Sequence, residues 1–198
     1  MLLLSALTTN SFLQPKTPDD FKRYLVGDWK LRKRITYKEG GVSGMFDGEA
    51  SFKVLDAKSP SYWGLVAYSE SGTFSPEQSA TFPPMETRNR LLYDFSSAMR
   101  TEVYFDTLDD ASRTSTEAIF SAASKLYDLE PPVGPDAPLG VLGISQAQVE
   151  GQTYSGQIEV EAPNAFISTW RVVGNGQNGE IASLYTRVTD EGDGVIDV

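Results

Sequence analysis

The sequence predicts an all-β protein, a single antiparallel barrel of about 8–10 short strands that follows one short helix. Apolar and polar residues alternate with a period of two along most of the chain. Gly, Asn and Pro residues separate the alternating runs, and helical periodicity is scarce. Closing such a sheet removes its exposed edges, and a barrel of about eight strands has room for one small ligand.

Composition narrows the functions that this chain of 198 residues can have. Its formal net charge of −10 repels nucleic acid backbones, so no nucleic-acid partner is expected. The chain contains no cysteine and no histidine, which excludes disulfides, thiolate nucleophiles and a zinc site built from His and Cys. Histidine is also the commonest general base, so the composition favours binding over hydrolysis and leaves other enzymatic activity open. No metal or cofactor is expected.

The first segment, 1–16, is interpreted as a tail or as the remnant of a targeting leader. Its apolar patch is far shorter than the roughly 20 residues that span a bilayer, and no other apolar run is longer. The protein is therefore expected to be soluble, and whether it is cytoplasmic or organellar stays open. A short helix is expected next, because Thr17 can cap it, Pro18 suits its first position and Gly27 can end it.

Strands are expected wherever the alternation is regular. In "TRNRLLYDF", for example, Asn89, Leu91 and Tyr93 share one face, whereas Arg88 and Arg90 share the other. The alternating segments are 44–54, 62–70, 87–95, 99–106, 153–161, 165–173 and 180–188, with a weaker candidate at 115–120. "GNGQNG", 174–179, predicts a hairpin, because Asn and Gly tolerate positive φ.

One region interrupts this pattern. "SAASKLYDL", 121–129, is a candidate helix, and the Pro- and Gly-rich "EPPVGPDAPLG" follows it. We interpret 121–145 as a loop inserted into one barrel domain, 17–189. An acidic tail, 190–198, ends the chain.

The stretch "GDWKL", 27–31, places a Gly-x-Trp motif between the expected helix and an amphipathic run. This order resembles the start of calycin and lipocalin barrels. That resemblance implies that Trp29 plugs one end of the barrel and that an arginine from the last strand, Arg187, packs over its indole ring.

A closer resemblance, over roughly Phe21 to Val188, is to an uncharacterised calycin-like family, domain of unknown function 6314. The matching segments are "YLVGDWKLRKRI", "GVSGMFDGEASF", "AYSESGTF", "RLLYDF", "VYFD", "TYSGQI", "STWRVVG" and "LYTR". The chain lacks the family's histidines and cysteine, so the resemblance mainly implies a fold. A more distant likeness, carried by "YSESGTF" and the later "TRNR", is to the bilin chromophore lyases, which are also calycin barrels.

Four residues are the candidate ligand contacts: Tyr68, Glu70, Arg90 and Trp170. Tyr68 and Glu70 share a face of their strand, and a buried Glu70 needs a cation, for which Arg88 or Arg90 is available. Trp170 and the other aromatic residues either line a cavity or fill a core.

The expected function is non-catalytic binding of a small, largely apolar ligand, such as a lipid or pigment. Two alternatives remain open. One is a filled barrel that binds a larger protein complex, and the other is a chromophore chaperone similar to a bilin lyase.

Overall fold

The computed structural model describes residues 15–56, 64–78, 82–131, 141–149 and 151–189. The described residues form two α-helices and ten strands. In chain order these are α1 (Pro18–Leu25), β1 (Gly27–Glu39), β2 (Gly44–Val54), β3 (Leu65–Pro76), β4 (Met85–Asp94), β5 (Thr101–Phe105), α2 (Thr116–Ala122), β6 (Ser124–Leu129), β7 (Val141–Val149), β8 (Gln152–Ala162), β9 (Ala165–Gly174) and β10 (Gln177–Arg187).

All ten strands belong to one antiparallel sheet with the order β6-β5-β4-β3-β2-β1-β10-β9-β8-β7. The first and last strands of the chain are therefore neighbours in the middle of the sheet, where Trp29 faces Arg187. The two ends of the order, β6 and β7, lie against each other, so the sheet curls into a nearly closed barrel. The predicted antiparallel barrel with a short leading helix is confirmed.

Helix α1 begins as its sequence predicts. The Thr17 hydroxyl accepts a hydrogen bond from the Asp20 amide at 3.1 Å, and the Asp20 carboxylate accepts from the Thr17 amide at 3.2 Å, a reciprocal capping box. Its inner face buries Phe21, Tyr24 and Leu25 in the barrel core. None of the described helices is long and apolar enough to cross a membrane.

The predicted hairpin joins β9 to β10. Asn175 and Gly176 form its turn, with φ values of 49° and 74°. Positive φ at both central residues is typical of a type I′ turn, whose twist matches that of paired strands. Asn-Gly is the preferred sequence of this turn.

Three sequence interpretations of the region 115–145 were wrong. Residues 115–120, the weak strand candidate, begin helix α2, whose first turn is capped by Ser115. The expected insertion at 121–145 contains all of β6 and the start of β7, and the expected helix at 121–129 is mostly strand β6. Residues 132–140, 1–14 and 190–198 lie outside the described residues.

Aromatic rings fill the half of the barrel next to α1. The Phe166 ring stacks on Tyr185 at 4.1 Å and meets Trp29 edge-on at 4.8 Å, and Phe52 packs against Tyr68 at 4.7 Å. Aromatic pairs in these arrangements contribute beyond the area that they bury. This half of the barrel is therefore a packed core.

Inward glycines do not leave empty space. Gly48 of β2 faces Gly72 of β3, and a Cβ on Gly48 would lie 2.8 Å from the Gly72 Cα and 2.9 Å from the Phe46 ring. A Cβ on Gly156 would likewise lie 2.5 Å from the Trp170 ring. Neighbouring backbone and aromatic rings thus occupy the room that these glycines provide.

Candidate functional site

The end of the barrel next to α1 is closed by Trp29, which is fully buried. The Arg187 guanidinium lies 4.1 Å from the centre of the Trp29 ring, within cation–π range. Arg187 also donates hydrogen bonds to the carbonyl oxygens of Val26, at 2.9 Å, and of Tyr24. The indole Nε1 donates to the Leu25 carbonyl at 2.8 Å. These contacts tie the end of α1 to strands β1 and β10.

Inside the barrel lies a cavity of about 220 Å³. Phe105, a residue that is 39% exposed, lines it where it meets the surface. The cavity is lined by Lys33, Phe52, Tyr68, Glu70, Asn89, Leu91, Tyr93, Phe105, Leu126, Tyr127, Tyr154, Ile158, Phe166, Ser168, Trp170, Ile181, Ser183 and Tyr185. A mostly aromatic and aliphatic wall with a few convergent polar groups is the usual composition of a small-molecule site.

Two polar side chains of the cavity, Lys33 and Tyr68, contact Glu70. Lys33 Nζ lies 2.5 Å from Glu70 Oε1, and the exposed fractions of the two side chains are only 16% and 9%. The Tyr68 hydroxyl donates a hydrogen bond to Glu70 Oε2 and lies 3.1 Å from the Tyr185 hydroxyl. The carboxylate therefore has a cation on one oxygen and a phenol on the other.

Buried tyrosine hydroxyls extend this network. Burial raises the pKa of Tyr68, Tyr127 and Tyr185 well above the usual value of 10, and the negative charge of Glu70 raises all three further. Burial also raises the pKa of Tyr93, despite a hydrogen bond from Tyr127 that favours its ionised form. All four phenols are therefore neutral at physiological pH and can donate or accept hydrogen bonds.

Trp170 of β9 forms the opposite wall. Its indole Nε1 donates to Ser168 Oγ at 2.8 Å, and its ring lies 4.5 Å from the Tyr127 ring. The ring lies over Gly156 of the neighbouring strand, where a side chain would collide with it. Trp170 therefore presents a flat apolar surface held in one orientation.

The structure brings three of the four candidate contacts, Tyr68, Glu70 and Trp170, to this cavity. It does not bring Arg90, whose guanidinium pairs with Asp110 at 2.6 Å and donates to the Leu108 carbonyl at 3.3 Å. The preceding residue, Asn89, lines the cavity instead.

The expected partner of Glu70 is also corrected, since Lys33 takes the place foreseen for Arg88 or Arg90. The sequence itself indicates that the Lys33 side chain points into the barrel. Trp29, Leu31 and Lys33 share one face of an alternating strand, and the first two are buried in the core.

This arrangement can recognise a ligand through shape, aromatic contact and hydrogen bonds. The buried charges are mutually paired, and the phenols remain protonated. In the part of the chain that the structure describes, no group of three or more acidic residues is placed to hold a metal ion.

Comparison with solved structures finds similar chains. The S-type phycobiliprotein lyase from Guillardia theta aligns over 89% of this chain and 95% of its own, with a TM-score of 0.58 and 8% identity. At that identity the likeness shows the fold alone, a calycin-like barrel. A de novo designed fluorescence-activating β-barrel aligns over 84% of this chain and 96% of its own, with a TM-score of 0.37 and 12% identity. No curated protein matches the chain by sequence.

The family comparison agrees with the resemblance found in the sequence. The family of unknown function DUF6314 matches residues 25–128, just over half of the chain. That range runs from the end of α1 to β6 and includes Trp29, Lys33, Tyr68 and Glu70. The chain therefore belongs to the DUF6314 family.

Proposed function

We propose that this protein binds a small, largely apolar molecule in its barrel without transforming it. The observation that carries the proposal is an aromatic cavity, next to a sealed barrel end, whose charged groups are already paired. Tyr68, Glu70 and Trp170 are the proposed ligand contacts, and we add Lys33. Paired charges and phenols with raised pKa values suit recognition better than proton transfer near neutral pH.

Cavity size limits the part of the ligand that is enclosed. About 220 Å³ lies below the 300–1,000 Å³ typical of sites for drug-sized ligands. It exceeds the roughly 150 Å³ of an apolar protein cavity that holds benzene. We therefore expect one ring system or a short chain inside the barrel and the rest of the molecule outside it.

The Lys33–Glu70 pair limits the charge of the enclosed part. A ligand carboxylate that approached Lys33 would be repelled by the adjacent negative charge of Glu70. A ligand cation that approached Glu70 would be repelled by the positive charge of Lys33. A neutral group with a hydrogen-bond donor next to an acceptor can contact both. Amides, lactams and phenols have this character.

A second candidate function is a chromophore chaperone similar to a bilin lyase. The fold that the chain shares with a phycobiliprotein lyase favours it. One ring of an extended pigment would fit the cavity, and the remainder would project from it. The cavity itself argues against the other alternative, a filled barrel that serves only as a structural subunit.

Native mass spectrometry tests the proposal, combined with an absorbance spectrum of the same gently purified sample. We expect an adduct of small-molecule mass that denaturation releases, and its colour separates a pigment from a lipid. Trp170→Leu should lose the adduct, whereas Leu184→Ala, a change at an exposed outer position of β10, should keep it. A bare protein mass in every preparation from the natural source would refute ligand binding.

A further inference from the structure

A second cavity of about 640 Å³ lies between β6 and β7, the two ends of the sheet order. We call it the seam cleft. Its lining includes Lys125 of β6 and Ser145, Gln146, Ala147 and Gln148 of β7. Leu126 and Tyr127 line both this cleft and the main cavity, so the two spaces meet at these side chains.

Within the described residues, β6 and β7 touch near one part of the seam and separate elsewhere. Near Leu129 the strands are in contact, because a Cβ on Gly143 of β7 would lie 3.0 Å from the Leu129 Cβ. Toward Lys125 on β6 and Gln148 on β7, the space between the strands widens into the seam cleft. Among the described residues, the barrel therefore has a lateral opening beside the main cavity.

Ser145 of β7 points to an occupant of this opening. This residue is 5% exposed, and its hydroxyl has no hydrogen-bond partner among the described residues. Ser145 pairs with the inward-facing Gly156 and lines the seam cleft. Buried hydroxyls in proteins nearly always have a partner, so an unpartnered one at a cavity wall indicates a site for a ligand group.

The charges and polar side chains of the seam cleft indicate which kind of ligand group it can hold. Lys125 lies 2.9 Å from Asp128 and 3.1 Å from Glu102, so its ammonium is already neutralised. Gln146 and Gln148 add neutral hydrogen-bonding groups on the opposite strand. The seam cleft therefore suits an uncharged polar chain better than an anion or an apolar tail.

We propose that the seam cleft is a second binding subsite, which holds an uncharged polar arm of a ligand whose ring occupies the main cavity. The arm leaves the barrel between β6 and β7 and bonds the Ser145 hydroxyl. This inference rests on the proposed function, because it needs the ring to be bound inside.

Two probes test the proposal by isothermal titration calorimetry: 2-naphthol, and 2-naphthol with a tri(ethylene glycol) arm at position 6. We expect the unmodified protein to bind the armed probe at least about fivefold more tightly than 2-naphthol. Ser145→Ala should weaken the armed probe by about three- to tenfold, the range of one neutral hydrogen bond, and leave 2-naphthol unchanged.

Ala147, a half-buried residue of the seam cleft, allows the cleft to be filled. Ala147→Trp should remove the advantage of the armed probe and leave 2-naphthol bound. The matched control is Leu184→Trp on the outer face of β10, which should behave like the unmodified protein. Thermal unfolding of Ser145→Ala gives a readout without ligand, and its midpoint should not fall, because the change removes an unpaired buried hydroxyl.

Three results would overturn the subsite. They are equal affinity for both probes, an arm advantage that survives Ala147→Trp in a folded variant, and a lower unfolding midpoint for Ser145→Ala. In each case ring binding could persist, so the proposed function would stand. If neither probe binds the unmodified protein, the proposed function fails and this inference fails with it.

Discussion

Lys33 Nζ and Glu70 Oε1 are 2.5 Å apart although their strands, β1 and β3, are separated by β2. On β2, the residue paired with Leu31 is Gly48. Gly48 has no side chain that could separate Lys33 from Glu70. The Lys33 ammonium also lies 5.2 Å from the centre of the Phe46 ring of β2. The pair therefore links three strands across the inner face of the barrel.

Breaking this pair should destabilise the protein. Lys33→Met leaves the Glu70 carboxylate buried without a cation, so we expect the free energy of unfolding to fall by about 3 kcal/mol. The double variant Lys33→Met/Glu70→Gln should recover most of the loss, because no unpaired charge remains. Urea unfolding of the single and double variants measures this.

The control lies one residue earlier on β1. Arg32 pairs with Asp47 at 2.8 Å, but both side chains are more than half exposed. We expect Arg32→Met to cost less than about 1 kcal/mol. Equal losses for Lys33→Met and Arg32→Met would contradict the buried role of Lys33.

Arg187 should not be replaceable by lysine. Its planar guanidinium stacks on Trp29 and bonds two backbone carbonyls, and an ammonium cannot match this geometry. We expect Arg187→Lys to lower the free energy of unfolding by about 2 kcal/mol. Arg171→Lys, at an exposed position of β9, should be nearly neutral in the same denaturation experiment. A neutral Arg187→Lys would mean that charge alone suffices at the closed end.

Stability should fall above pH 10. Burial raises the pKa of Tyr68, Tyr127 and Tyr185 above 10, so the folded protein keeps protons that the unfolded chain releases from about that pH. The unfolded state then binds fewer protons, and the free energy of unfolding decreases as the pH rises. Urea midpoints at pH 8 and pH 11 measure the decrease, and Tyr185→Phe should reduce it. A free energy of unfolding that is unchanged between these pH values would show that folding does not raise the pKa of these phenols.

Ligand binding should distinguish Trp170 from Arg90. Trp170→Leu removes an aromatic wall of the cavity, so we expect at least a tenfold weaker affinity for 2-naphthol by calorimetry. Arg90→Met should leave that affinity within about twofold, because Arg90 pairs with Asp110 away from the cavity. Loss of binding in Arg90→Met alone would restore Arg90 as a ligand contact.

Alternation was a better guide to the site than charge. The run "TRNRLLYDF" places Arg90 on the face opposite Leu91 and Tyr93, which are both buried. The prediction of Arg90 as a ligand contact rests on the need of Glu70 for a cation, although the alternation places Arg90 on the face opposite the cavity. The same alternation identifies Lys33 as inward-facing, although its pairing with Glu70 depends on strand order that no local pattern reveals.

The region around α2 and β6 was the hardest to predict. Local signals for the helix exist, since Ser115 caps it and Glu117 lies in its first turn. Residues 115–120 also alternate like a short strand, and this pattern predicts a strand where the helix begins. β6 is an end strand with a paired neighbour on one side only, so its sequence is under weaker constraint than that of the central strands.

The pairing of β1 with β10 has a consequence for how the chain folds. Strands β1 to β6 each pair with a sequence neighbour, as do β7 to β10, so both halves can form by short-range hairpin steps. The ladder that joins the halves pairs Trp29 with Arg187, almost the full length of the barrel domain apart. Its formation must close a very long loop, an entropic cost that slows folding in proteins of high contact order. The β1–β10 ladder is therefore expected to form late, with the indole and guanidinium locking together as the two halves meet.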